Sequence, residues 1–185
     1  MGMPASVHLS VDEYLGWEAQ QPDKHEYVYG EVYAMVGVTR RHAAVAINVV
    51  NILSGHLRDG PCRVYMSDMK LRVEAANAFY YPDVFVTCNA NDHQADNFMS
   101  SAVMIVEVLS PSTAGYDRGD KFAAYRKLAG LREYVLIDPD RRRIECFRRG
   151  EDDLWVLHEP GPDQSLTLQS LDLRIESEDV FRRVD

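Results

Sequence analysis

The chain has 185 residues and a net charge of −9, with 46% hydrophobic and 26% charged residues. That is enough chain for one domain, residues 1–185, with a real core, and an ordinary composition for a soluble fold. It argues against a membrane span, because no apolar run is long enough, and against a general nucleic-acid binder relying on clustered lysine and arginine.

Residues 1–8 are expected to be loose. The N-terminal MGMPASVHLS lacks the basic-then-apolar pattern of a secretory signal, which points to the cytoplasm. Ser10 and Glu13 form an S-x-x-E capping box, with Leu9 and Tyr14 as a hydrophobic staple, and the helix stops before Pro22. His25 to Met35 alternates and turns at Tyr29-Gly30, so it reads as a hairpin. Glu31 follows the glycine, whereas Glu26 reads as a surface residue. Arg41 to Arg58 is a long helix capped by Thr39. Its AAVAINVVNIL interior is apolar nearly all round, so several faces should be buried, one in part against a second subunit. His42 sits in its first turn beside Arg40 and Arg41. A helix N-terminus favours anions, so the trio could meet a phosphate, or His42 could be a structural hydrogen-bond partner.

Arg63 to Glu74 reads as one strand, with Met69, Leu71 and Val73 inward and Lys70 outward. Phe79 to Thr87, FYYPDVFVT, is a buried strand carrying Asp83 just after Pro82. Cys88 to Ser101 is a polar surface loop beside the candidate site, its Asp92 and His93 solvated. VMIV at 103–106 is a strand buried on both faces, with Glu107 at its carboxyl end. SPST then marks a turn. A helix follows from near Arg118, with Asp117 as cap and Lys121 in its first turn. Phe122, Tyr125 and Ala129 form its apolar stripe, and Gly130 ends it. Tyr134 to Ile137 and Arg143 to Phe147 are strands joined by Asp138-Pro139-Asp140. Past Gly150, short strands are expected at Leu154–Leu157, Leu166–Leu168 and Leu171–Ile175. A Pro/Gly loop spans Glu159–Gln164, and Ser177 caps a last turn.

Two buried strands that each carry a carboxylate, with a lysine nearby, make a site for a divalent cation. Mg²⁺ takes one or two protein carboxylates and leaves its other positions to water and phosphate. The same spacing also allows a bland outcome, with Asp83 ending a strand and Glu107 paired to Lys121. Lys70 is a rival lysine. Cys62, Cys88 and Cys146 are scattered and odd in number, which reads as three free thiols. Charge is uneven: residues 118–149 carry ten Lys or Arg against five acids, a local +5, and the remainder is −14. Such a block is either a solvated face with local ion pairs or a basic rim for phosphates. No glycine-rich phosphate loop or G-x-S-x-G elbow is present, and Ser110, Ser112 and Thr113 read as turn residues.

YPD at 81–83, EVLSPST at 107–113, YDRGDK at 116–121 and YVLIDP at 134–139 together resemble a bacterial restriction-endonuclease-like family of the PD-(D/E)XK nuclease superfamily. The resemblance spans about Ser10 to Phe147. It implies an α/β fold, a restriction-endonuclease-like mixed central sheet flanked by helices, with the 150–185 stretch as a β-rich extension. It also implies a Mg²⁺- or Mn²⁺-dependent endonuclease acting on DNA, with Asp83 and Glu107 as metal ligands. The lysine expected two residues after the second acid is replaced by Leu109, so the resemblance implies that Lys121 has taken over its task. Glu31 is implied as an assisting acid, and a homodimer would serve to cut two strands. A nuclease-like fold that binds without cutting, and a hydrolase of small phosphate esters, remain alternatives.

Overall fold

The computed structural model describes residues 8–161 and 164–185. The expectations for residues 1–7 and for the middle of the 159–164 loop fall outside those residues. Helix α1 (Val11–Glu18) begins as the sequence indicates. Ser10 Oγ accepts the Glu13 N–H and Glu13 Oε2 accepts the Ser10 N–H, so two otherwise orphaned donors are satisfied. Strands β1 (His25–Val28) and β2 (Glu31–Ala34) form the hairpin. Tyr29 (φ 50°) and Gly30 (φ 99°) both occupy positive φ, as a two-residue hairpin turn of matching twist requires. A Cβ on Gly30 would also collide with the His8 ring.

Helix α2 (Arg40–His56) is capped by Thr39, whose Oγ1 accepts the His42 N–H. Its buried residues are His42, Val45, Ala46, Val49 and Leu53. That is one stripe at helical spacing, not the several buried faces expected; Ile47 points outward.

The single strand expected over 63–74 is instead two, β3 (Arg63–Met66) and β4 (Lys70–Val73), separated by a turn. The 79–87 strand divides likewise into β5 (Ala78–Tyr80) and β6 (Val84–Thr87). The break falls at Tyr81-Pro82-Asp83, where proline removes a ladder donor. The consequence is two sheets. One runs β2-β1-β5-β4-β7, with β7 at Phe98–Met99. The other is six-stranded, β11-β10-β9-β8-β6-β3, with β8 (Met104–Val108), β9 (Glu133–Asp138), β10 (Arg143–Arg149) and β11 (Trp155–His158). It is mixed, because β8 and β9 are parallel and the other pairs antiparallel.

Alternation along the central strands splits the core in two. Val84, Val86, Met104, Val106, Val135 and Ile137 share one cluster with the α2 stripe and with Leu166, Leu168 and Ile175 of the C-terminal hairpin β12 (Ser165–Leu168) and β13 (Leu173–Glu176). Phe85, Ile105, Tyr134 and Leu136 face the other way, onto Phe122 and Tyr125 and onto Leu71, Val73 and Tyr80 of the five-stranded sheet. The six-stranded sheet is thus covered on both faces, as its near-continuous apolar strands demand. Short helix α5 (Ser177–Val180) ends the chain, with Ser177 inside it and Glu176 at the cap position. Among the described residues no helix is long and apolar enough to cross a membrane.

The cysteines correct the sequence reading. Register pairs Arg63 with Thr87, which sets Cys62 and Cys88 opposite each other, and they form a disulfide. Only Cys146 is a free thiol, and it is buried. The 88–101 loop leaves the Thr87 end of β6, about four strand residues, roughly 13 Å, from the Asp83 end, and none of its residues is in the lining of the candidate cleft. Its Asp92 is buried, accepting from Thr87 Oγ1 and from the Ser100 and Ser101 N–H groups.

Candidate active site

Strands β6 and β8 are antiparallel neighbours, with Val84 opposite Val106. The register carries Asp83 to the position opposite Glu107, one step toward the rim. Glu107 lies on the same face as Ile105 and Leu109, under the helical connection that leads to β9. Asp83 Oδ2 accepts the Val108 N–H at 2.7 Å, and its Oδ1 meets His42 Nε2 at 2.9 Å. The first carboxylate is therefore held from both sides, by the neighbouring strand and by the first turn of α2.

The connection itself does not start near Arg118. It starts four residues earlier, with α3 (Ala114–Tyr116), and runs through a π-helical turn over Asp117–Lys121 into α4 (Phe122–Tyr125). Ser110 Oγ accepts the Thr113 N–H and lies 2.9 Å from Thr113 Oγ1, which shapes the entry turn. π turns widen a helix by one residue per turn and recur at functional sites. Here the wide turn directs both Asp117 and Lys121 inward, and both are buried. Asp117 is thus a member of the buried cluster instead of a cap.

Lys121 Nζ lies 2.9 Å from Glu107 Oε1, 2.9 Å from Glu26 Oε1 and 4.0 Å from Asp117 Oδ1. Tyr125 Oη donates to Glu107 Oε1 at 2.9 Å. One ammonium and His42 thus face four carboxylates, those of Asp83, Glu107, Glu26 and Asp117. Burial raises the Glu107 carboxyl to about 8, opposed by Lys121 and reinforced by Asp83, Asp117 and Glu26. Burial likewise raises Asp117. For Lys121, burial alone would lower the ammonium, but Glu107, Glu26 and Asp117 outweigh it and hold it well above its ordinary range. Burial is the main reason these carboxyls resist ionisation, and the excess of acids over cations is why the buried ammonium keeps its proton.

The donor set is made of hard oxygens, which suit Mg²⁺ or Mn²⁺. Asp83 and Glu107, opposite each other on adjacent strands and both lining the cleft, are the two acids that could hold such an ion. Among the described residues no three His, Cys, Asp or Glu side chains converge as a ready-made cage. The fit is to a cation that keeps water and substrate in its remaining positions. The cleft has a volume of about 500 Å³, and Glu26, Asp83, Glu107, Lys121, His42 and Tyr116 are among its lining.

Residues 11–178 match the family Uma2, described as putative restriction endonuclease. The chain belongs to that family. Its relatives include "Uncharacterized protein slr1290" of Synechocystis sp., 34% identical over 174 residues, covering 94% of this chain and 92% of that protein. A second, "Uncharacterized protein sll1609" of the same organism, is 33% identical over 153 residues, covering 82% and 86%. Among solved structures, one described as a putative nuclease belonging to DUF820 from Anabaena variabilis superposes with a TM-score of 0.78. It covers 96% of this chain and 99% of that one at 18% identity, so it speaks to the fold, which is restriction-endonuclease-like.

Within this Uma2 fold the sequence-expected residues do not all meet. Asp83, Glu107 and Lys121 come together. Glu31 does not: it is exposed on β2 and accepts from Tyr33 Oη. Glu26, expected at the surface, takes the inner place. The two share a face of the hairpin, since Glu26 pairs with Tyr33 and Val28 with Glu31. However, β1 is the strand next to β5, and β2 is the outer edge. Glu26 Oε1 also accepts the Tyr81 N–H, which ties β1 to the chain leading into Asp83. Among the described residues Lys70 forms no ion pair with Asp83 or Glu107 and is not in the cleft lining; its Nζ is 5.7 Å from the Tyr81 ring. The basic block is largely neutralised locally: Arg118 and Arg143 pair with Glu145, Arg141 with Asp138, Arg148 with Glu133 and Arg149 with Asp153.

Proposed function

We propose that this cleft hydrolyses DNA phosphodiester bonds with Mg²⁺ or Mn²⁺ held by Asp83 and Glu107. One observation carries the reading: Lys121 reaches Glu107 at 2.9 Å although it comes from a different element, fourteen positions along the chain. A lysine within hydrogen-bond reach of an acid that shares a cleft with Asp83 meets the geometric condition for catalysis; what sets it apart from a bland ion pair is that cleft. When bound, the ion would act as a Lewis acid on the phosphoryl oxygen and make its water more acidic.

The chain's own groups do the rest. His42 and the Val108 N–H fix both oxygens of Asp83, so that carboxylate is preorganised. Tyr125 and Lys121 orient Glu107 through Oε1. Glu107, Glu26 and Asp117 keep the Lys121 Nζ protonated, so it acts as a fixed positive donor toward a water or a non-bridging phosphate oxygen, not as a base. A homodimer belongs to this reading, since two strands need two such clefts.

The test is conversion of supercoiled plasmid to nicked and linear forms with Mg²⁺ or Mn²⁺. Asp83→Ala should abolish it, and Lys121→Ala should slow it by about 10²- to 10³-fold, the scale of losing one transition-state donor. Activity unchanged in both variants would refute the proposal. A wild type that binds DNA without cutting would favour the silent-fold reading.

A further inference from the structure

A second cavity, of about 670 Å³, opens beside the acidic cleft. The two share Glu26, Tyr33, Ser112, Thr113 and Tyr116 in their walls, so they adjoin at the Tyr33 and Tyr116 side chains. The second cavity is lined by four tyrosines, Tyr29, Tyr33, Tyr80 and Tyr116, with Lys127 at its edge. Tyr29, Tyr33 and Tyr116 are 56%, 50% and 38% exposed. None is needed to fill the core. The sequence reading took Tyr29 only as a turn residue and missed the group, because its members come from three distant segments.

Resting on the nuclease reading, we propose that this cavity receives an unpaired nucleobase of the strand lying in the acidic cleft. The substrate is then single-stranded, or a duplex with a base displaced from its stack.

Three observations select this occupant. Tyrosine rings are platforms for bases of any identity, and four tyrosines line this one cavity. Its charged lining is Glu26 and Asp120 against a single Lys127, which disfavours a phosphate and suits a neutral ring with polar edges. Lys127 Nζ is itself engaged, at 3.3 Å from Tyr29 Oη and 3.4 Å from the Ala75 carbonyl, so it braces the wall. Finally, the chain has a net charge of −9, and six of the ten Lys and Arg of its basic segment are held in ion pairs. A rigid duplex read along its phosphates would gain little here. Stacking is the attraction left for a nucleic acid to use.

The experiment is fluorescence anisotropy in EDTA, where no cleavage occurs. The probes are a labelled 20-nucleotide strand, the matching duplex and an abasic strand of equal length. The wild type should bind the strand at least 10-fold more tightly than the duplex or the abasic strand. Tyr29→Leu and Tyr116→Leu should each weaken strand binding roughly 5- to 100-fold, the range for losing one base–aromatic stack. Tyr29→Phe and Tyr116→Phe keep the ring and should bind as wild type does. Equal affinity for strand and duplex, no binding of either, or Leu variants that bind like wild type would overturn the proposal. So would a deoxynucleoside monophosphate that competes as well as the strand, which would assign the cavity to a free nucleotide. Asp83→Asn separates the two readings: it should stop plasmid cleavage while strand binding persists. Cleavage without strand preference would refute only the nucleobase pocket, and strand preference without any cleavage only the nuclease.

Discussion

Replacing Lys121 by methionine, which keeps the stem and deletes the charge, probes the centre of the structure. The ammonium is within 2.9 Å of two carboxylates and 4.0 Å of a third, with its side chain only 8% exposed. Removing one partner from a buried ionic cluster costs about 3–5 kcal/mol, because the remaining charges have no compensation. For a chain of 150–250 residues each kcal/mol moves Tm by about 2–4 °C, so the expected loss is roughly 6–20 °C. The orphaned carboxylates can recover by taking up protons, so the loss should be larger at pH 8 than at pH 5.5. Adding Glu107→Gln removes one of the orphaned carboxyls, and at pH 8, where that group begins to ionise, the double variant should regain about 0.5–3 kcal/mol relative to additivity. Thermal and urea unfolding at both pH values give all four corners of the cycle. A Lys121→Met loss below about 1 kcal/mol, or one independent of pH, would refute the view that this lysine neutralises the cluster.

Three further outcomes are expected. Burial raises Glu107 from the ordinary carboxylate range to about 8, so between roughly pH 5 and 8 the folded state holds a proton that the unfolded state releases. Its contribution to stability is complete below that window and is lost as pH rises through it, with a slope of up to about 1.4 kcal/mol per pH unit; urea titrations of Glu107→Gln should lack that slope. His42→Ala leaves Asp83 Oδ1 without its partner and should lower unfolding stability by about 1–3 kcal/mol, with His42→Gln recovering part of it. The Cys62–Cys88 bridge closes a separation of 26 residues, worth about 3.5 kcal/mol by the loop-entropy relation, so the Cys62→Ser/Cys88→Ser variant should unfold at correspondingly lower urea, and dithiothreitol should shift only the wild type.

Local chemistry was legible in the sequence, and pairing across distance was not. The Ser10–Glu13 box, the Thr39 cap and the Tyr29-Gly30 turn are each settled within four residues, and all three are found. The apolar run before Glu107 could only be a buried strand. By contrast, the cystine depends on β3 lying against β6, and nothing in the spacing of Cys62 and Cys88 encodes that neighbour. The choice of Glu26 over Glu31 depends on which hairpin strand faces β5. Both acids alternate correctly, so periodicity cannot separate them. Pro82 lies inside the stretch read as one strand; in the fold it is the point where the chain passes between two sheets. The onset of the helix before Lys121 was misjudged because Asp117 has the profile of a cap, yet tertiary packing draws it inward.

The position of the lysine can itself be tested. Glu107 lies in β8 and Leu109 just past its end, two positions on, so the alternation of the strand puts them on one face. Leu109 is buried in the cluster that includes Phe122 and Tyr125, and it also lines the acidic cleft. A lysine at 109 would rise from the strand into the space that Lys121 enters from the helix above. The fold therefore offers two backbone origins for one ammonium, and the π turn over Asp117–Lys121 is what makes the second workable. Leu109→Lys combined with Lys121→Leu exchanges the two side chains while keeping the overall inventory of volume and charge. The exchanged protein should be more stable than Lys121→Leu alone by about 1–3 kcal/mol, and should recover a measurable part of any plasmid-cutting activity. Leu109→Lys by itself places two cations in one space and should lose stability. If the exchanged protein is no better than Lys121→Leu by either measure, then the site needs the helix-borne lysine for its direction of approach, not merely for its charge.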